Sequence, residues 1–142
     1  MSAIPLLCNS IGTYKAKLSR EEKFIAEAGL FTLVCDEIKK ILKAEYKNYF
    51  CLMKFNEEME NTMLDANFLR FVISDILLSG EYSLEGVAYY TQSPEEVICD
   101  VVSGTNIEPS LPLSRKIINL HKSVRPNLYQ EIMKKIIAEY LP

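Results

Sequence analysis

The residues whose types could do chemistry lie in one short region and the segment after it. Glu95, Glu96 and Asp100 place three carboxylates within six positions, with Cys99 among them and Gln92 just upstream. Thr105 and Asn106 follow, and then Arg115, Lys116, Lys122 and Arg125. Ionised carboxylates only accept hydrogen bonds and attract positive charge, so the first group suits a donor-rich or basic surface. Guanidinium and ammonium groups beside hydroxyl and amide side chains suit phosphate oxygens, so the second group is of the kind that docks on a nucleic-acid backbone. The ordinary alternative for these four cations is a solvated helix face.

Other chemistry finds little support in the residue pattern. His121 is the single histidine and has no nucleophile or acid at a motif spacing. Cys8, Cys35, Cys51 and Cys99 form no C-x-x-C pair and complete no zinc set with His121, which reads as reduced thiols in a cytoplasmic protein. Glu57, Glu58, Glu60 and Asp65 lack the glycine and the alternating oxygen ligands of a calcium loop and read as a solvated acidic connector. Tyr89 and Tyr90 could stack on a base or a partner, though tyrosines near a helix end more often pack. No Gly-rich phosphate loop is present. The expectation is a protein that is not an enzyme, with no catalytic residue, no cofactor and no metal.

Two short helices must position the acidic group. Ser83 is an N-cap candidate for a helix over Leu84 to Thr91. Ser93 is one for a second helix, with Pro94 in its first turn and Glu95 and Glu96 at the positive end of its dipole. Val87, Ala88, Val97, Ile98 and Val101 would face inward, the small Ala88 allowing a close crossing, and Gly104 would end the second helix. Before them, Phe68, Phe71, Val72, Ile76 and Leu77 share one helical face that stops at Ser79-Gly80.

The combination of Ala88, buried Ile98 and Val101, Gly104, and Pro109-Ser110-Leu111 leading into Leu113, Ile117, Ile118 and Leu120 resembles the lambda-repressor/Cro-like helix-turn-helix family. The resemblance covers roughly residues 65–124. It implies a five-helix domain whose second motif helix enters the major groove of DNA. Carried across position by position, Gln92, Glu95, Glu96, Cys99, Asp100, Thr105, Asn106, Arg115, Lys116, Lys122 and Arg125 are the implied DNA-binding residues. The chain departs from the family pattern at the turn, where Gln92 stands at the position that usually holds glycine and Ser93 at one that is usually apolar. Pro94, Glu95, Glu96, Cys99 and Asp100 also include no Arg, Lys, Asn or Gln for base reading.

The rest of the chain reads as helix. Residues 1–18 are expected to form an irregular arm, and Ser19-Arg20-Glu21-Glu22 has the form of a capping box. Phe24, Ala28, Phe31, Cys35, Ile38, Leu42, Tyr49 and Leu52 make a helical stripe, broken near Glu45, with Gly29 marking a close crossing. Phe55 to Asp65 reads as a connector, and VICDVV is the only strand-like run. Arg125-Pro126 breaks the helix after the motif, and Asn127 caps a last one carrying Leu128, Ile132, Ile136 and Leu141. The fold class expected is all-α: a five-helix lambda-repressor-like helix-turn-helix domain preceded by a long N-terminal helix and followed by a C-terminal helix. The divisions expected are 1–18, the irregular arm; 19–60, a helical region able to dimerise; and 61–142, the helix-turn-helix domain with the C-terminal helix.

Charge placement divides the functional expectation. Residues 1–55 hold nine Lys/Arg against six Asp/Glu, residues 56–104 one against ten, and residues 105–142 six against three. The acid is concentrated in the middle of the chain, which includes the motif, and a basic footprint for nucleic acid over the whole protein is missing. Two expectations follow. One is a dimeric DNA-binding transcriptional regulator, with double-stranded DNA as its ligand and the N-terminal helix joining two copies. The other is a protein-interaction module, adaptor or anti-repressor-like, that no longer reads DNA and meets a basic protein at the acidic second helix. No run is long enough to span a membrane, and MSAIPLLCNS lacks the basic start of a signal peptide.

Overall fold

In the computed structural model, residues 19–106 and 108–140 are described. The irregular arm expected at residues 1–18, with Cys8, and the expected apolar Leu141 lie outside them. The described residues are all-α, with no strand among them, and VICDVV is helical. The helices are α1 (Arg20–Glu45), α2 (Lys47–Leu52), α3 (Glu57–Ala66), α4 (Phe68–Leu78), α5 (Leu84–Thr91), α6 (Glu95–Val102), α7 (Leu111–Val124) and α8 (Pro126–Tyr140). The described residues fall into two compact units, residues 41–125 and residues 19–40 with 126–140.

In the flanking unit, α1 begins where the capping box is written. Ser19 Oγ accepts from Glu22 N at 3.1 Å and Glu22 Oε1 accepts from Ser19 N at 3.4 Å. Along α1 the buried positions are Leu30, Val34 and Ile38, continuing to Leu42. Ile38 and Leu42 belong to the expected stripe, but nearer the start of the helix the buried Leu30 and Val34 stand one residue before the expected Phe31 and Cys35, which are half-buried, and Phe24 and Ile25 are exposed. Gly29 marks no close crossing, because a Cβ there would meet nothing within 4 Å. On α8, Tyr129, Ile132 and Ile136 are buried, and Lys135 Nζ donates to Glu37 Oε2 at 2.8 Å. Burial acts to raise the Glu37 pKa, but hydrogen bonds from Lys135 and Lys40 prevail and lower it. Helix α8 starts at Pro126, which has no N–H to lose at a first helical position, so Asn127 lies inside the helix rather than capping it.

The 41–125 unit is centred on the packing of α4 against α7, with α5 set against α7, α6 against α4, and α5 and α6 against each other. Its core is built from Leu69, Val72, Ile73 and Ile76 on α4, Val87 and Ala88 on α5, Ile98 and Val101 on α6, and Leu113, Ile117, Ile118 and Leu120 on α7. Phe68, Phe71 and Leu77, expected on the buried face, are only half-buried, as is Val97. The segment read as a connector is helix α3, capped by Asn56, whose Oδ1 accepts from Met59 N at 2.8 Å. Its apolar Met59, Met63 and Leu64 occupy too short a window to show a period, so the cap and the Glu-rich first turn are its only sequence marks.

Two helix ends in this unit are closed in the same way. At the end of α5, Ser93 N donates to Ala88 O at 3.0 Å and Gln92 N to Tyr89 O at 3.1 Å, with Gln92 left-handed at φ 54°. At the end of α2, Phe55 N donates to Phe50 O and Lys54 N to Cys51 O, both at 3.0 Å, with Lys54 at φ 57°. Both are Schellman motifs, in which the residue after the cap is usually glycine. Around the second, Phe55 stacks on Phe50 at 6.0 Å between ring centroids, the apolar contact that commonly accompanies this turn.

A left-handed residue with a Cβ is strained by about 1 kcal/mol relative to glycine. Gln92→Gly should therefore raise stability by about 1 kcal/mol, because the exposed Gln92 side chain gives up no buried contact. Gly104→Ala should lower it by about the same amount, since Gly104 sits at φ 83°. Urea unfolding should show opposite shifts of the midpoint with unchanged slope. Equal midpoints for Gln92→Gly and the parent chain would refute the strain at the turn.

Candidate functional site

The two motif helices are joined by three residues, Gln92, Ser93 and Pro94. Helix α5 is capped as expected, Ser83 Oγ accepting from Gly86 N at 3.1 Å. Helix α6 differs from the expectation at its start. Pro94, not Ser93, occupies the cap position with no side-chain hydrogen bond, and Ser93 Oγ donates back to Thr91 O at 3.3 Å. The Schellman turn has already committed Ser93 N to Ala88 O, so this residue belongs to the end of α5.

Pro94, Glu95, Glu96, Cys99 and Asp100 surround one shallow concavity, so the structure brings the acidic group together. Glu95, Glu96 and Asp100 are exposed, Cys99 is half-buried, and no cation pairs with the three carboxylates among the described residues. The face is ready to receive positive charge. Gln92 is exposed at the turn. Thr105 Oγ1 lies 3.0 Å from Ser103 Oγ, and Asn106 Oδ1 accepts from Glu108 N at 3.1 Å, which orders the loop after α6.

The four downstream cations have different surroundings. Lys116 Nζ donates to Thr91 O at 3.2 Å, across from α7 to the end of α5, where helix carbonyls lack partners. Arg115 is half-buried, with Nε and Nη2 inaccessible to solvent. Arg125 Nη1 donates to Asp75 Oδ2 at 3.1 Å and to Glu45 Oε1 at 3.2 Å. Lys122 is half-buried. Two of the four cations that the sequence offers to phosphate, Lys116 and Arg125, are thus engaged in holding helices together.

Sequence spacing gave no hint of the Asp75–His121–Arg125 cluster. His121 is fully buried, and its Nε2 lies 2.6 Å from Asp75 Oδ2. Hydrogen bonds from His121 and then Arg125 outweigh burial and hold the Asp75 carboxyl below its ordinary 3.8. An ionised carboxylate only accepts, so the proton of this bond is on Nε2. With its imidazole sealed from solvent, the cluster serves as a bolt between α4 and α7 rather than as an acid–base centre. Cys35 is likewise unreactive, its thiol pushed up to about 12 chiefly by burial, whereas Cys51 is exposed. No group of three or more His, Cys, Asp or Glu able to hold a metal occurs among the described residues, and none of their helices is long and apolar enough to cross a membrane.

Because the Asp75 pKa is depressed on folding, its contribution to stability is fully present above the ordinary carboxylate value and is lost as pH falls through the lower folded value. Asp75→Asn should cost about 1–3 kcal/mol at neutral pH by replacing the ionised acceptor of the bonds from the buried imidazole and from Arg125 with a neutral amide oxygen. It should also flatten the acid limb of the stability profile. Thermal melts of both proteins from neutral pH down to about pH 2.5 provide the measurement. Parallel profiles would remove Asp75 as the titrating group.

No family model, no curated protein and no solved structure matches this chain, so its function must be argued from these side chains.

Proposed function

We propose that residues 41–125 form a lambda-repressor/Cro-like helix-turn-helix domain and that the protein is a transcriptional regulator that docks on duplex DNA. The observation that carries this reading is the left-handed Gln92, at the turn position where the resembled family usually has glycine. A short first helix closed by a left-handed residue, a three-residue turn and a second short helix packed against the first and against α4 is the arrangement such a motif requires. Gln92, Thr105, Asn106 and Lys122 are the groups through which DNA would be held, mainly at phosphates. Arg115, Lys116 and Arg125 support the scaffold. Glu95, Glu96 and Asp100 limit base reading to acceptance from cytosine amino groups and repel the backbone.

One observation favours a second reading, in which the scaffold meets a basic protein instead. It is the cluster of Glu95, Glu96 and Asp100, exposed on α6 and without a cation among the described residues. In either reading, exposed Phe24 and Ile25 on α1 offer the apolar surface for a homodimer.

An anisotropy titration of the whole chain against mixed-sequence duplex DNA decides between the readings. The regulator should bind in a salt-dependent way, and Lys122→Ala should weaken binding and lower the salt slope by about one. Changing Glu95 and Glu96 to Gln and Asp100 to Asn should tighten it. Absence of binding at low salt would end the DNA reading; capture of polylysine that the triple change abolishes would establish the other. For the dimer, Phe24→Glu with Ile25→Glu should convert a sedimenting dimer into a monomer, and an unchanged mass would exclude that surface.

A further inference from the structure

The 41–125 unit holds a mixed polar and aromatic concavity that shares no residue with the acidic face of α6. Tyr46 and Tyr49, at the start of α2, wall one side, and Met63 on α3 and the following Asn67 wall another. Arg70, Phe71 and Ser74 on α4 complete it around a volume of about 230 Å³. Positions 70, 71 and 74 share one face of α4. The other face of that helix, Leu69, Val72, Ile73 and Ile76, is spent on the core. The Tyr46 and Phe71 rings meet at 4.9 Å between centroids, inclined by 59°, and Tyr46, Met63 and Phe71 are half-buried.

The unused hydrogen-bonding groups around it are donors. Ser74 Oγ donates to Arg70 O at 2.8 Å and Asn67 Nδ2 to Met63 O at 3.1 Å, so these two are satisfied within the chain. The Tyr46 and Tyr49 hydroxyls and the Arg70 guanidinium have no hydrogen-bond or ionic partner among the described residues. Arg70 is the single Lys or Arg of residues 56–104. Its Nη1 stands 3.3 Å from where a Cβ on Gly104 would lie, so the loop after α6 backs the guanidinium. Three donor groups, one of them a permanent cation, beside aromatic walls suit an acceptor-rich anion on an apolar body.

Polarity and size narrow the ligand further. Burial and then the charges of Asp75 and Glu45 raise the Tyr46 pKa, and both carboxylates already accept from Arg125. Negative charge is therefore disfavoured at the Tyr46 end and favoured at the Arg70 end, which orients a ligand with its ring toward Tyr46 and Phe71. A cavity of about 150 Å³ holds benzene. The space here takes one such ring with a carboxylate and falls short of two rings.

We propose that this concavity binds a small single-ring aromatic carboxylate, with the ring against Tyr46, Met63 and Phe71 and the carboxylate paired with Arg70. The planar carboxylate matches the guanidinium fork, which can donate to both oxygens at once. None of the groups through which DNA would be held lines the site, so the assignment stands apart from the function proposed above.

Sodium benzoate is the probe, titrated into the isotope-labelled full chain and followed by amide chemical shifts. Saturable shifts centred on residues 46–74 are expected. Benzamide keeps the ring and loses the charge, benzylamine reverses the charge, and acetate loses the ring. Each should bind at least about tenfold more weakly than benzoate. Arg70→Gln should weaken benzoate by about tenfold or more and leave benzamide unaffected. Its circular dichroism should be unchanged, because Arg70 is exposed and pairs with nothing in the fold. No saturation by about 10 mM benzoate, shifts centred outside residues 46–74, equal binding of benzamide, or indifference to Arg70→Gln would each overturn the proposal. Binding of duplex DNA, or its absence, leaves this result untouched, so the two proposals fail separately.

Discussion

The end of α5 imposes the constraint on which the motif depends. A helix leaves its last carbonyls without intrahelical partners, and α5 must end inside a packed unit, within three residues of the next helix. Water is poorly placed to solvate carbonyls there, so the chain supplies the donors itself. Gln92 N and Ser93 N take Tyr89 O and Ala88 O, and Lys116 Nζ reaches across from α7 to Thr91 O. The buried Thr91 hydroxyl turns back onto Val87 O at 2.9 Å, satisfying itself within the helix. The left-handed turn and the diversion of a lysine into the interior both follow from this one requirement.

The allocation of charge follows as well. A cation that closes a helix end or meets a buried carboxylate gains most where water is excluded, and it is then costly to withdraw. Lys116 at Thr91 and Arg125 at Asp75 are held in this way, and Asp75 in turn holds the buried His121. Carboxylates on α6 face no such demand. They remain exposed, and the charge of the motif surface is set by residues that folding has not recruited.

How far the sequence could be read depended on whether a feature is local. The capping residues Ser19 and Ser83, the stop at Ser79-Gly80 and the break at Arg125-Pro126 depend on neighbours within a few positions, and they appear where the residue types place them. Along α1 the expected Ile38 and Leu42 are buried, but Leu30 and Val34 take the place of Phe31 and Cys35 because apolar side chains surround much of that helix, and tertiary contacts choose among the faces. Helix α3 was hidden by a composition that its cap and first-turn acids explain but that hydrophobic periodicity does not. At the candidate site the outward acids were legible. The inward commitments of Lys116 and Arg125 were not, since their partners are 25 and 50 positions away.

The two non-glycine left-handed residues bring these strands together. Gln92 and Lys54 each close a helix at a strained φ, and Gln92 stands beside the α6 face proposed to bind. Glycine would relieve the strain at either position while keeping the Schellman bonds. Its larger freedom in the unfolded chain would return part of that gain, and its lack of a side chain would remove an exposed polar or cationic group from the rim. Modest strain beside a binding surface is tolerable where the stable part of the unit lies elsewhere, here in the packing of α4 on α7 and the buried Asp75–His121 bond.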